Sequence, residues 1–133
     1  MKRTILFLVL FSLFFSSCKD RSEPSDVAGR FLSAYLDCRF PDAERIASPE
    51  VLEQMRWRVS QLTQAEVELL SENEPLVEVE KTEVYDDSCL VVLNASNALQ
   101  LDSIGLPGYI GEQRFFVTLQ KDKGGSWKVT SLR

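Results

Sequence analysis

The chain has 133 residues, of which 44% are hydrophobic and 26% are charged, and its formal net charge is −5. This length supports one domain around one modest core. No basic cluster is dense enough to bind a phosphate backbone, so we expect no nucleic-acid partner. The sequence has no histidine, the commonest metal ligand and the side chain best suited to proton transfer near neutral pH. We therefore expect neither a metal nor another cofactor.

The first residues have the layout of a secretory signal peptide. Lys2 and Arg3 precede an apolar run over residues 5–15, and small residues follow it. The run is shorter than the ~20 residues that a bilayer-spanning helix needs. A charged start, a short apolar run and small residues are typical of a cleaved signal. We predict that residues 1–17 are a signal peptide; the alternative is a buried N-terminal helix or strand.

The end of this segment is more specific. Phe15, Ser16, Ser17 and Cys18 resemble the lipobox of bacterial lipoproteins, in which small residues precede a cysteine that becomes the lipidated mature N-terminus. Phe15 departs from the usual leucine. The resemblance implies acyl chains on Cys18 and hence the lipid bilayer as a partner, since two or more chains anchor stably. Secretion after cleavage near Ser17 is the alternative.

The residues after Cys18 form the predicted tether, residues 18–25. They are polar, charged and interrupted by Pro24, so they bury too little apolar surface to fold. Lys19 and Asp20 resemble the export signal of Bacteroidetes-type lipoproteins, which implies the outer membrane of the bacterial cell envelope. A plain solvated linker is the alternative. The folded domain is then predicted over residues 26–133.

The predicted mature protein is more acidic than the full chain. Without residues 1–17 it keeps 13 of the 15 basic residues and all 20 acidic residues, a net charge of −7. An anionic membrane surface does not attract such a domain. We therefore expect the lipid alone to hold it at the membrane.

Two cysteines remain once Cys18 is assigned to the lipid. Cys38 and Cys89 could form one disulfide, because the compartment beyond the inner membrane can be oxidising. The bridge would close a loop of ~50 residues and contribute ~4 kcal/mol if the Cα atoms come within ~7 Å. The alternative is two small buried apolar side chains. The sequence leaves this choice open.

Two shorter helices are predicted at the start of the domain. Residues 25–40 carry apolar side chains at helical spacing, with Ser25 or Asp26 as the N-cap. A short helix opens at Pro41, since proline suits the first helical turn.

A longer third helix is predicted over residues 48–72. Ser48 caps it, Pro49 suits its first turn, and Pro75 ends it. Its apolar stripe consists of Val51, Leu52, Met55, Val59 and Leu62. In the same helix Trp57 is expected to pack in the core between surface arginines; an exposed Trp57 that contacts a partner is the alternative.

After Pro75 the period of the pattern changes from 3.6 to 2, which predicts strands. Residues 76–85 alternate valine with glutamate, as a strand with one wet face does. The further predicted strands are residues 89–96, 112–120 and 126–133, the last two joined by the hairpin signal KDKGG. Helices followed by four antiparallel strands predict the α+β class.

This order resembles the nuclear-transport-factor-2-like (cystatin-like) superfamily. The residues that carry the resemblance are 27–55 and the closing GGSWKVTSL at 124–132. It implies a cystatin-like cone, with the N-terminal helices packed on a curved antiparallel sheet of about four strands. The chain is most similar to small lipoproteins of that superfamily with unassigned function.

The superfamily contains enzymes as well as binding proteins. Its isomerases use a carboxylate and a tyrosine in an apolar pocket. The available groups include Tyr35, Tyr109 and Glu112, but a structural role fits each of them. A cone filled by Phe31, Leu36, Phe115 and Val117 would exclude such an enzyme.

We therefore predict a non-catalytic binding or interaction module for an unknown envelope protein or small ligand, and not an enzyme. The alternatives are an isomerase or dehydratase with a pocket in the cone, and a structural component that forms homo-oligomers. Separately, Asp102-Ser103-Ile104 resembles the O-glycosylation motif of Bacteroidetes proteins, which would make Ser103 the acceptor.

Overall fold

The computed structural model describes residues 23–101 and 106–133. The predicted signal peptide, Cys18 and Ser103 lie outside the described residues. The helices are α1 Pro24–Leu36, α2 Phe40–Glu44, α3 Pro49–Ser60 and α4 Gln64–Glu72. The strands are β1 Leu76–Tyr85, β2 Ser88–Gln100, β3 Tyr109–Lys121 and β4 Trp127–Leu132. No helix in the described part of the chain is long and apolar enough to cross a bilayer.

Helix α1 forms the centre of the helical layer. Pro24 occupies its first turn, where a fixed φ is favourable, and Glu23 is the N-cap. The predicted caps Ser25 and Asp26 were therefore wrong, and the helix begins inside the predicted tether. Its buried face comprises Val27, Ala28, Phe31, Leu32, Ala34, Tyr35 and Leu36.

The predicted long helix over residues 48–72 is two helices. The amides of Gln61 and Leu62 bond to carbonyls three residues earlier, which tightens and ends α3. Thr63 is extended, with φ −98° and ψ 176°, and α4 starts after it. Thr63 and Glu66 have the spacing of a capping box, but here the Thr63 hydroxyl contacts the Glu66 carboxylate and makes no bond to a backbone amide of the helix start.

The four strands form one antiparallel sheet in the order β1-β2-β3-β4. The register shifts between Val79 and Lys81 in β1 and between Ala95 and Ala98 in β2. Such bulges bend a strand and increase its twist. Asn97, at φ 56°, lies in the second bulge, and its amide donates to the Glu74 carbonyl at 2.9 Å. Strand β2 thus continues beyond its predicted end at residue 96.

Buried side chains of the helices and of one sheet face form the core. The sheet contributes Cys89, Val91, Leu93, Ala95, Ala98, Phe115, Val117, Leu119, Trp127, Val129 and Leu132. The predicted α+β fold, helices on a curved four-stranded antiparallel sheet, is confirmed.

The two edges of the sheet differ. Residues 46–48 cover the edge of β4: the Ser48 amide donates to the Val129 carbonyl and the Val129 amide donates to the Ile46 carbonyl, each at 2.8 Å. At the opposite edge, β1 has no described strand on its outer side. On the face of β1, Val77 is half-buried against the core, whereas Val79 and Val84 are 44% and 58% exposed. The predicted burial of the valine face of β1 is therefore confirmed at Val77 and wrong at Val79 and Val84.

The hairpin predicted from KDKGG is confirmed between β3 and β4. The Asp122 carboxylate accepts from the amides of Gly124 and Ser126 at 2.9 and 3.0 Å. Gly125 has φ +82°, a conformation that glycine adopts without steric cost.

Candidate functional site

The interior between helices and sheet is filled by core side chains. Phe31, Leu36 and Val117 are at most 1% exposed, and Phe115 is 5% exposed. A cavity of about 200 Å³ opens beside this core. We call it the Arg58 cleft; it is lined by Tyr35, Gln54, Trp57, Arg58, Leu101, Gln113, Phe115, Leu132 and Arg133.

The helical period turns Arg58 towards the interior. Val51 and Met55 are 2% and 0% exposed, and Arg58 continues their face three residues further along α3. Its side chain is only 9% exposed. An arginine in this position is unusual, because charged side chains are rarely so fully buried unless they are paired.

The Arg58 guanidinium interacts with the Leu99 carbonyl and with the side chains of Tyr35 and Cys38. Nη2 donates to the Leu99 carbonyl at 2.8 Å, and Cζ lies 5.2 Å from the centre of the Tyr35 ring. Nε is buried without a hydrogen-bond partner among the described residues. None of the ion pairs found in the described part of the chain includes Arg58. The cleft therefore holds a buried cation that no carboxylate compensates, which costs free energy in the empty state.

Neutral polar groups surround this cation. Burial raises the pKa of Tyr35 above 10.0, although the nearby Arg58 charge acts in the opposite direction. The phenol is therefore protonated at neutral pH. Gln54 donates to the Leu132 carbonyl at 3.4 Å, and Gln113 adds a second amide to the lining. These groups can donate or accept hydrogen bonds without changing the charge of the cleft.

Trp57 lies at the rim of the cleft, not in the core. It is 57% exposed, so the predicted core packing was wrong. The alternative, contact of an exposed Trp57 with a partner, stays a prediction. The helical period explains this exposure. Arg58 lies on the buried face of α3, so the preceding residue, Trp57, lies on its outer side. Arg56, also exposed, pairs with Glu53 at 3.3 Å and covers the Phe40 ring at 5.1 Å.

The two remaining cysteines are free thiols. Cys38 lies beside Arg58; burial raises its pKa above 9.0, and Arg58 opposes that shift. Arg58 in turn bonds Leu99, at the opposite end of β2 from Cys89 and roughly 30 Å away at ~3.3 Å per residue. Cys38 lies beside Arg58 near the Leu99 end of β2, so its Cα atom is much farther from that of Cys89 than the ~7 Å that a disulfide allows. The structure thus contains no Cys38–Cys89 bridge, and burial also raises the pKa of Cys89.

The three predicted pocket residues do not meet. Tyr35 lines the Arg58 cleft, whereas Tyr109 and Glu112 are exposed on β3 and do not line it. Sequence reasoning missed Arg58 because it treated both arginines of MRWRVS as surface residues. Val51, Met55 and Arg58 are at positions i, i+4 and i+7, which place all three on one face of a helix. This spacing could have predicted that Arg58 is buried.

A second, more open groove of about 540 Å³ lies between α1, α2 and β1. Its charged side chains are exposed, and Arg39 is paired with Asp37 and Asp42 at 3.2 and 3.1 Å. Because Arg39 is paired and the other arginines of the groove, Arg30 and Arg45, are exposed to solvent, an ion would gain less free energy there than beside the buried Arg58. Within the described residues no group of three or more potential metal ligands occurs.

Sequence comparisons give no relative: neither a protein-family model nor a curated protein matches this chain. Solved structures are similar in fold. A SEC-C motif-containing protein from Rhodopseudomonas palustris aligns with a TM-score of 0.52 at 13% identity, over 90% of this chain and 84% of that one. The intermembrane space region of the chloroplast protein ARC6 aligns with a TM-score of 0.50 at 13% identity, over 84% and 96%.

A third structure is described as an NTF2-like transpeptidase from Campylobacter jejuni. It aligns with a TM-score of 0.49 at 14% identity, over 83% of this chain and 99% of that one. At these identities the likeness concerns the fold alone, so the function rests on the cleft itself.

Proposed function

We propose that this protein is a lipid-anchored module of the bacterial cell envelope that binds a small ligand in the Arg58 cleft without transforming it. The observation that carries the binding proposal is the buried Arg58 guanidinium, whose Nε has no partner and whose charge has no carboxylate beside it. A ligand that supplies the missing acceptor would remove the cost of this burial.

The chemistry of the lining favours binding over catalysis. The described lining residues contain no carboxylate to act as a base, and the Tyr35 pKa is shifted away from neutrality. General acid–base catalysis works best with a group whose pKa lies near the working pH. The filled interior around Phe31 and Val117 supports the same proposal.

A fragment screen tests the binding proposal. We expect hits from a small-fragment library of mixed charge to shift the NMR signals of the Trp57 indole and of the Gln54 and Gln113 amides. A matched library screen on Trp57→Ala should lose affinity at this site. Hits confined to the groove between α1, α2 and β1, or no hits, would contradict the proposal.

The anchor is a separate part of the proposal and rests on the lipobox resemblance at Cys18. Wild-type cells fed a fatty-acid analogue should yield a labelled protein in the outer-membrane fraction, and salt washing should not release it, because an acidic domain is not held by charge. Cys18→Ala should be neither labelled nor retained, while Cys38→Ala serves as the control. Equal labelling of wild type and Cys18→Ala would refute the anchor.

A further inference from the structure

We propose that the ligand of the Arg58 cleft is a small carboxylate whose adjoining part is flat and apolar. This inference rests on the proposed function and names its ligand class. The guanidinium provides the charge, and the surroundings of Arg58 restrict what can approach it.

The donors that remain on Arg58 match a carboxylate. A guanidinium has five N–H donors, and the structure shows Nη2 bonded to the Leu99 carbonyl and Nε without a partner. Nη2 carries a second hydrogen, so Nε and Nη2 together can donate two parallel hydrogen bonds. Paired N–H groups of this kind bind the two oxygens of a carboxylate with both strength and directional specificity.

The charge of the cleft favours a monoanion. Arg58 is the buried cation, and Arg133, the other charged lining residue, is exposed and therefore screened by solvent. Tyr35, Gln54 and Gln113 contribute no charge. One carboxylate compensates Arg58, whereas a dianion such as phosphate would leave excess negative charge in a partly buried site.

The size and the rim of the cleft define the rest of the ligand. About 200 Å³ is below the range of pockets for drug-sized molecules, so the ligand is small. Leu101, Phe115 and Leu132 supply apolar surface, and the exposed Trp57 supplies a flat ring beside it. A planar apolar group next to the carboxylate can stack on that ring.

A purely structural Arg58 would not need these features. Its bond to Leu99 links α3 to β2, and it also interacts with the Tyr35 and Cys38 side chains, but Nε takes part in none of these bonds. The unpartnered Nε and the exposed Trp57 both remain unexplained unless a ligand contacts them.

The test compares benzoate with its neutral analogue benzamide by Trp57 fluorescence, using the full chain in detergent micelles. We expect saturable quenching by benzoate and at least ~10-fold weaker binding of benzamide, because a neutral amide cannot compensate the buried charge. Arg58→Gln should reduce benzoate affinity to the benzamide level, while Arg56→Gln, two residues earlier in α3 and exposed, should leave it unchanged. Trp57→Phe identifies any signal that comes from Trp127.

Each result decides the question. Equal affinity for benzoate and benzamide overturns the carboxylate class, yet it leaves the proposed binding function standing. Benzoate binding that persists in Arg58→Gln overturns the role of Arg58. Absence of saturation by benzoate overturns the inference, and the fragment screen then decides separately whether the cleft binds anything. The comparison of the two probes on wild type stands even if Arg58→Gln fails to fold.

Discussion

Arg58 is the residue whose environment most needs explanation. Its side chain is 9% exposed, it has no ion-pair partner among the described residues, and its Nε has no acceptor. Selection for stability alone would favour an apolar side chain at this position, because replacing buried charges with well-packed apolar residues is often neutral or stabilising. We therefore interpret Arg58 as a functional residue that the fold tolerates.

This interpretation predicts the stability of Arg58→Met. The change leaves the Leu99 carbonyl without its donor, a cost of ~1–3 kcal/mol, but it also removes an uncompensated buried cation. We expect the free energy of unfolding in urea to change by no more than ~1 kcal/mol, or to rise. Arg56→Met is the exposed control and should change it by less than ~1 kcal/mol. A loss above ~3 kcal/mol in Arg58→Met alone would mean that Arg58 maintains the fold.

Because burial raises the pKa of Tyr35, we predict that the free energy of unfolding depends on pH in the alkaline range. The Tyr35 pKa is raised in the folded protein, chiefly by burial, so the unfolded chain loses the phenol proton first as pH rises above 10.0. The folded state then binds more protons than the unfolded state, and stability falls with increasing pH. Urea midpoints measured from pH 8 to 11 should fall less steeply in Tyr35→Phe than in wild type. Parallel curves would show that burial does not shift this pKa.

At the scale of elements, the break between α3 and α4 allows α4 to pack against the residues that precede β3. Helix α4 brings Glu66, 4% exposed, against residues 106–108, where its carboxylate accepts from the Gly108 amide at 3.4 Å. Gly108 packs so closely that an added Cβ would lie 2.8 Å from Glu66 Cγ. The backbone at Gly108 is thus held by a side chain that a continuous helix over 48–72 would not place there.

Two glycine substitutions test this packing. Gly108→Ala should lower the free energy of unfolding by ~1–3 kcal/mol, because the new methyl group overlaps Glu66 and the tips of two leucines. Gly29→Ala is the matched control: it lies in α1, and its Cβ would meet nothing within 4 Å. That change should raise stability by up to ~1 kcal/mol, since alanine favours helix. Equal effects of the two substitutions in urea unfolding would contradict the close approach at Gly108.

Local sequence patterns were sufficient to predict the element types. The helical and strand periods depend on neighbouring residues, and KDKGG specifies its turn through Gly125. The break at Thr63 was missed although Thr63 and Glu66 have capping-box spacing, because the apolar stripe continued through it. The exposure of β1 was missed for a different reason: alternation shows which face is apolar, but not whether a helix covers it.

At the scale of the whole molecule, the predicted fold is confirmed, but the residues predicted for a pocket are not brought together. Aromatic side chains are buried and arginines exposed on average. Applied to Trp57 and Arg58, this expectation predicted the wrong exposure for both. Tyr109 and Glu112 had suitable chemistry, but both are exposed on β3 and neither lines the cleft. Residues of a functional site often differ from the average burial of their residue type, so sequence patterns based on average burial do not identify them.

The proposed molecule has three parts: the predicted anchor at Cys18, the predicted tether before α1, and the domain that contains the Arg58 cleft. The domain is acidic overall, whereas the cleft contains the buried Arg58 cation, and its volume of about 200 Å³ limits the ligand to a small molecule. The proposed module would therefore hold its ligand close to the membrane without itself contacting the lipid.

The side-chain ¹⁵N–¹H signal of Arg58 tests the central claim most directly. The measurement follows the Nε–H resonance, assigned by its absence in Arg58→Gln, during addition of benzoate. We predict a downfield proton shift and slower hydrogen exchange that saturate with the Trp57 indole signal, because Nε gains its missing acceptor. An Nε–H signal that stays unchanged while benzoate saturates another part of the domain would contradict the claim that Arg58 is the binding residue.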